Sequence, residues 1–135
     1  MATMGTRIRV VSAEIVRDGR YLITQRSAHA VLPLLWEFPG GRVREGETDA
    51  QALQRCLAAR LGCDVTVSEL VLEVDHAYDQ YNLVLAVYRC EVVQGEPQAI
   101  SVADLAWVGP DTFADYEFPG ADQRTVEALL ADDQH

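Results

Sequence analysis

The sequence predicts an α/β (α+β) domain, and three observations carry that reading. Stretches rich in β-branched residues open the chain and fill its second half, at 7–16, 65–75 and 82–93. A segment of helical period at 49–61, with its own start and stop signals, lies between them. A second helical segment, 122–131, follows a last short strand. With 135 residues and 49% hydrophobic content, residues 1–135 hold one core and read as a single domain.

In chain order, Arg7 to Val16 reads as a strand, Arg17-Asp18-Gly19-Arg20 as a tight turn, and Tyr21 to Arg26 as the returning strand. A hairpin is therefore expected to open the domain. Ser27 to Leu35 lacks a period and holds Pro33, so it reads as a loop into Trp36-Glu37-Phe38. Pro39-Gly40-Gly41 makes a turn and Gly46 a second bend. Thr48 is the expected N-cap of the helix, with Asp49 in its first turn and Gly62 at its end. Leu53, Leu57 and Leu61 recur every four residues as its apolar stripe, while Ala52, Arg55 and Ala59, with Cys56 and Arg60 beside them, form a neighbouring face. Val65 to Asp75 and Asn82 to Val93 are strands joined by a loop near Asp79-Gln80. Glu96-Pro97 breaks the chain before a short strand, Leu105 to Val108, and Asp122 to Ala131 closes as a helix with Val126, Leu129 and Leu130 inward.

Composition removes several classes of function. No run approaches the roughly 20 apolar residues that span a bilayer, and the first residues lack the apolar stretch of a secretory signal, so no membrane role and a cytoplasmic location are expected. Cys56, Cys63 and Cys90 are an odd number without C-x-x-C spacing, which points to buried reduced thiols. All 11 basic residues are arginine, so no lysine amine is available for catalysis. A formal net charge of -10 opposes binding of a nucleic-acid duplex, which rests on many cationic contacts to phosphate. A small anionic ligand stays open, because an arginine cluster or a bound cation reverses the field within one cleft.

The most informative stretch runs from Phe38-Pro39-Gly40-Gly41 to Gly62-Cys63. From Gly41, five residues lead to Glu47 and seven more to Arg55, followed by Cys56, Leu57, Ala58, Ala59, Arg60, Leu61, Gly62 and Cys63. This resembles the Nudix box, G-x5-E-x7-R-E-U-x-E-E-x-G-U, with U a bulky apolar residue. Gly41, Glu47, Arg55, Leu57 and Gly62 match it; Cys56, Ala59 and Arg60 stand where the pattern has glutamates. Leu22 to Arg26, Leu35 to Gly41, Ala106-Trp107-Val108 and Phe118 to Asp122 also resemble MutT-like and CTP-pyrophosphohydrolase-like members, so the likeness covers nearly the whole chain.

The resemblance implies a mixed β-sheet sandwiched between α-helices, with the box as a loop-helix-loop. It also implies metal-assisted cleavage of a nucleoside diphosphate linked to another group, commonly a nucleoside triphosphate, as in sanitation of the nucleotide pool. Such chemistry needs Mg2+ or Mn2+ held by oxygen ligands. A thiol is a soft, poor ligand for magnesium, an alanine is none, and a fixed arginine cation repels the metal. Glu47 and the Gly40 carbonyl are the remaining candidates for metal contact, with Glu37, Glu45 and Asp104 nearby. The predicted function is thus a nucleotide-binding, regulatory or ligand-sensing protein with hydrolase activity lost or weak, and possible cofactors range from Mg2+ or Mn2+ to none. The alternatives are a working pyrophosphohydrolase with a rebuilt metal site, and a homodimeric or protein-interaction module with a filled cleft.

Each candidate residue has a functional and a plain reading. Arg55 orients a catalytic glutamate in the family; here an ion pair with Glu47 is the favoured reading. Arg60 either holds phosphate oxygens with its fork of donors or compensates the dipole at the helix C-terminus. Asp122 either accepts from an amino-bearing base edge or caps the last helix. Phe38 stacks on a base or fills the core, and Arg26 reaches a phosphate or ends its strand in solvent. His76, between Asp75 and Asp79, hints at a metal or proton-transfer site and reads more simply as solvated loop.

Overall fold

A computed structural model of the chain describes residues 6–29, 34–78 and 81–116. Two four-stranded sheets and one α-helix make up this part. The first sheet has the order β5 (Gly40–Arg42), β1 (Thr6–Glu14), β7 (Tyr81–Gln94), β6 (Asp64–Ala77). It is mixed: β1 runs parallel to β7, from Thr6↔Tyr81 to Glu14↔Arg89, while the β5–β1 and β6–β7 pairs are antiparallel. The second sheet is antiparallel. Its central strand β3 (Arg20–Gln25) pairs with β2 (Val16–Arg17), β4 (Trp36–Glu37) and β8 (Asp104–Val108).

The expected opening hairpin is corrected in its extent. Only Val16 and Arg17 pair back onto β3, through the Asp18-Gly19 turn, whose two residues both have positive φ (54° and 76°). Residues 6–14 belong to the other sheet. Val11, Ala13 and Ile15 are buried in the core, and the β1 partners come from distant β5 and β7. Reading strands from local sequence favours the nearest partner, whereas tertiary pairing here won. The chain crosses between sheets at Ile15, whose carbonyl accepts from Leu22 N–H at 3.0 Å, and returns at Pro39, whose carbonyl accepts from Ala13 N–H at 2.8 Å.

The helix α1 (Asp49–Leu61) has the predicted bounds. Thr48 Oγ1 accepts from Gln51 N–H at 3.1 Å and Gln51 Oε1 accepts from Thr48 N–H at 2.9 Å, so two orphan donors are satisfied reciprocally. Thr48→Ala is expected to cost about 1 kcal/mol of stability, read as a lower urea midpoint; an unchanged midpoint would assign the helix start to tertiary contacts alone. At the other end Gly62 takes φ 68°, and its N–H donates to the Ala58 carbonyl. The Leu53, Leu57 and Leu61 stripe is fully buried, and Ala52 and Cys56 join it. The helix thereby lies on β1, β5 and β6, which fixes it against the Gly40–Arg42 strand.

Strands β3, β6, β7 and β8 agree with the sequence to within two residues, β6 and β7 extending slightly beyond 65–75 and 82–93, whereas the Pro39-Gly40-Gly41 turn is corrected: Gly40–Arg42 is strand β5, paired with Val10 to Ser12 of β1. His76 lies within β6, and its ring stacks on Tyr78 at 5.7 Å; the solvated-loop reading is corrected to an exposed strand position. The predicted helix 122–131 lies outside the described residues. All three cysteines are buried, and none is in a disulfide among the described residues. Burial among apolar atoms pushes the Cys90 thiol up to about 12 and the Cys63 thiol upward, which keeps both protonated at neutral pH.

Candidate functional site

The Gly40–Glu47 segment and the face of α1 above it form the candidate site. Glycine is required at Gly40 because an added Cβ would fall 2.0 Å from the Val11 carbonyl oxygen. At Gly41 the obstacle is the helix: a Cβ would sit 2.8 Å from Cys56 Sγ and 3.4 Å from Arg60 Nη2. The glycine pair lets strand and helix approach closely. Gly41→Ala is expected to cost about 1–2 kcal/mol, since one buried sulfur has to give way. Thermal unfolding of Gly41→Ala beside Gly41→Ala/Cys56→Ala checks this, because the second variant removes the sulfur and should narrow the gap.

Glu47 is held by three hydrogen bonds from two residues. Arg55 Nε donates to Oε2 at 2.6 Å and Arg55 Nη2 to Oε1 at 3.0 Å, while Arg44 N–H donates to Oε1 at 2.9 Å. Arg55 Nη2 also donates to the Arg42 carbonyl at 2.9 Å, tying β5 to the helix. The guanidinium of Arg55, then the Arg44 N–H, draw the Glu47 carboxyl down to about 2. The ion pair expected from the sequence is therefore present, and both carboxylate oxygens are engaged.

Arg60 stands in the last turn of α1, where its charge meets the helix dipole, but the backbone carbonyls at that end have other donors. The Arg60 carbonyl accepts from Ile100 and Ser101 N–H, and the Leu61 carbonyl from Gln98 N–H. The side chain instead reaches back, and Nη1 donates to the Gly40 carbonyl at 2.6 Å. That carbonyl is the one the resemblance assigns to a metal.

A divalent cation does not fit this donor set. The Gly40 carbonyl faces a guanidinium, Glu47 is engaged by Arg55 and Arg44, and positions 56, 59 and 60 offer a buried thiol, an alanine and a cation. Among the described residues no group of three or more His, Cys, Asp or Glu is placed to hold a metal. A +2 ion at about 5 Å from a guanidinium is repelled by roughly 2 kcal/mol even at the dielectric of water, and by more in a cleft. One hard carbonyl oxygen does not offset that.

The other candidates separate. Arg26 is 7% exposed and its Nη1 pairs with Glu37 Oε1 at 3.4 Å, so the reading of a strand end in solvent is corrected. Phe38 is half-buried and edge-on to Phe113, with centroids 5.9 Å apart; Trp36 meets Tyr116 in the same way at 5.0 Å. Glu45 is exposed on the turn, and exposed Asp104 accepts from Leu105 N–H at 2.8 Å, at the end of β8. Asp122 lies outside the described residues. Reading by residue missed the cluster around Asp49: Arg9 donates twice to its carboxylate at 2.7 Å, and Tyr88 Oη donates at 2.5 Å. It also missed Arg42, whose Nη1 is buried without a hydrogen-bond acceptor among the described residues. Its place directly after the two glycines was the available signal.

Comparison with known proteins agrees with this frame. The family model for the NUDIX domain matches residues 11–128. The chain is 36% identical over 124 residues to the CTP pyrophosphohydrolase of Escherichia coli (strain K12), covering 92% of each. It is 30% identical over 129 residues to an 8-oxo-dGTP diphosphatase of Haemophilus influenzae, covering 94% of this chain and 95% of the relative. The solution structure of the E. coli ORF135 protein superposes with a TM-score of 0.74 at 35% identity, covering 94% of this chain and 91% of that one. Family match, relatives and fold point the same way as the glycine pair, the Glu47–Arg55 couple and the capped helix: the chain belongs to the Nudix family.

Proposed function

We propose that this chain is a nucleotide-binding Nudix protein whose pyrophosphohydrolase activity is lost or strongly weakened, and which serves as a ligand-sensing module. The observation that carries the reading is the 2.6 Å bond from Arg60 to the Gly40 carbonyl, where the family would place a divalent cation. Without that ion the charge developing on a cleaved pyrophosphate lacks its strongest stabiliser. The substrate-side features remain as the binding apparatus: the arginine-rich loop after Gly41, the ring of Phe38, Arg26 beside Glu37, and Asp122 for an amino-bearing base edge. Relatives named for CTP and 8-oxo-dGTP make nucleoside triphosphates the ligand class to try first.

A second reading, a working nucleoside triphosphate pyrophosphohydrolase, draws on the relatives named as hydrolases at 36% and 30% identity. Pyrophosphate release from a panel of ordinary and oxidised nucleoside triphosphates, in magnesium or manganese, separates the two when run beside calorimetric binding. Binding without turnover supports the ligand-sensing reading. Metal-dependent turnover lost in Glu47→Gln would replace it with the enzyme.

A further inference from the structure

The location of Arg60 supports a statement about the form of the ligand, which rests on the nucleotide-binding reading above. The guanidinium lies over the Gly40-Gly41 backbone, one nitrogen donating to the Gly40 carbonyl at 2.6 Å and the other 3.4 Å from where a Gly41 Cβ would be. The helix carbonyls of Arg60 and Leu61 are satisfied by the 98–101 backbone, and Cys56 Sγ closes the space beside Gly41.

The local charge has the same sign. Across positions 40–60 the chain carries Arg42, Arg44, Arg55 and Arg60 against Glu45, Glu47 and Asp49, four positive and three negative charges. Two of the negatives are compensated by specific partners: Glu47 by Arg55, and Asp49 by Arg9 from outside the segment. In a chain of net charge -10, this segment carries a formal charge of +1, a local reversal of sign.

We propose that Arg60 is a built-in replacement for the divalent cation, so that this site takes its polyphosphate ligand free of magnesium, and magnesium competes with the protein for that ligand. A guanidinium presents planar N–H donors that match phosphate oxygens in pairs and needs no loading. Free triphosphate carries its full negative charge to such a fork. The magnesium complex brings part of that charge already neutralised and adds a cation that Arg60 repels. Family members that hold a metal on glutamates gain affinity from the same ion, so the sign of the magnesium effect is the discriminating quantity.

Calorimetric titration with inorganic tripolyphosphate and with the triphosphates of the panel, in EDTA and in excess magnesium chloride, reads that sign directly. The intact chain is expected to bind at least about tenfold more tightly in EDTA, equivalent to about 1.4 kcal/mol. Arg60→Gln is expected to lose about tenfold in EDTA and to lose the preference between buffers, while Arg60→Lys, which keeps the charge and loses the planar fork, binds more weakly than the parent but keeps the preference for EDTA. Circular dichroism and thermal unfolding of the variants separate loss of fold from loss of charge. Equal binding in both buffers, tighter binding in magnesium, or an Arg60→Gln variant that keeps the EDTA preference would overturn the inference and leave nucleotide binding standing. No binding of any probe in either buffer would overturn both.

Discussion

Replacing Ala59 and Arg60 together by glutamate is expected to raise magnesium-dependent pyrophosphate release from nucleoside triphosphates by roughly 10²-fold or more over the unaltered chain. The substitution acts on three obstacles at once. It frees the Gly40 carbonyl from Arg60, it removes the cation that repels a metal, and it supplies two hard carboxylates one helical step apart. The side-chain charge at these two positions goes from +1 to -2. The fold is expected to accept the change, since Ala59 is exposed and Arg60 half-exposed, at a modest cost from two acidic groups in the last helical turn. Cys56→Glu is a different matter, because position 56 is 2% exposed and a carboxylate there bears a desolvation cost. It belongs in a separate triple variant. Initial rates for the unaltered chain, Ala59→Glu/Arg60→Glu and Ala59→Gln/Arg60→Gln, in magnesium and in EDTA, decide the matter. If the unaltered chain already matches the glutamate variant, the loss-of-activity reading is wrong. If neither turns over although the variant binds magnesium, the missing component lies outside these two positions.

Much of the fold was legible because its signals are local. Thr48, the four-residue leucine repeat and Gly62 fix the helix within the chain that forms it, and the structure returns it with the same bounds. The Asp18-Gly19 turn is equally local. What sequence did not disclose was pairing across distance. Residues 6–14 are rich enough in Ile and Val to pair with any strand, and only burial of Val11 and Ala13 beneath α1 selects β5 and β7. Parallel pairing of β1 with β7, from Thr6↔Tyr81 to Glu14↔Arg89, joins segments far apart in the chain, and no short-range pattern encodes it.

The candidate site divides on the same line. The resemblance to the Nudix box picked out Gly40, Gly41, Glu47 and Arg55, and their opposite charges paired Glu47 with Arg55. The partner of Arg60 was not readable, since a helix-end arginine has its own carbonyls within reach. Those carbonyls are taken by backbone N–H groups from 98–101, a segment whose return to the helix end is a tertiary fact. Arg26 misled for a related reason. An arginine closing a strand reads as solvated, but the Glu37 carboxylate, 3.4 Å away, makes its burial affordable.

Arg55→Ala is expected to destabilise the fold by about 2 kcal/mol near neutral pH, and the loss should shrink in acid. At neutral pH the variant leaves Glu47 charged without its bidentate partner and the Arg42 carbonyl without its donor. Solvent contact at both side chains screens the pair and keeps its contribution modest. The direction with pH follows from Glu47. Its carboxyl is drawn from 4.5 down to about 2 in the folded chain, so the pair contributes fully above about 4.5 and fades as pH falls toward 2. The unfolding free energies of the parent and Arg55→Ala should therefore converge through that acid window. Urea unfolding at stepped pH, repeated with Glu47→Gln and the double variant, measures the coupling separately from packing. A gap that stays constant from neutral pH to the acid end would mean that Arg55 acts through its contacts with β5, and that Glu47 gains little from the guanidinium beside it.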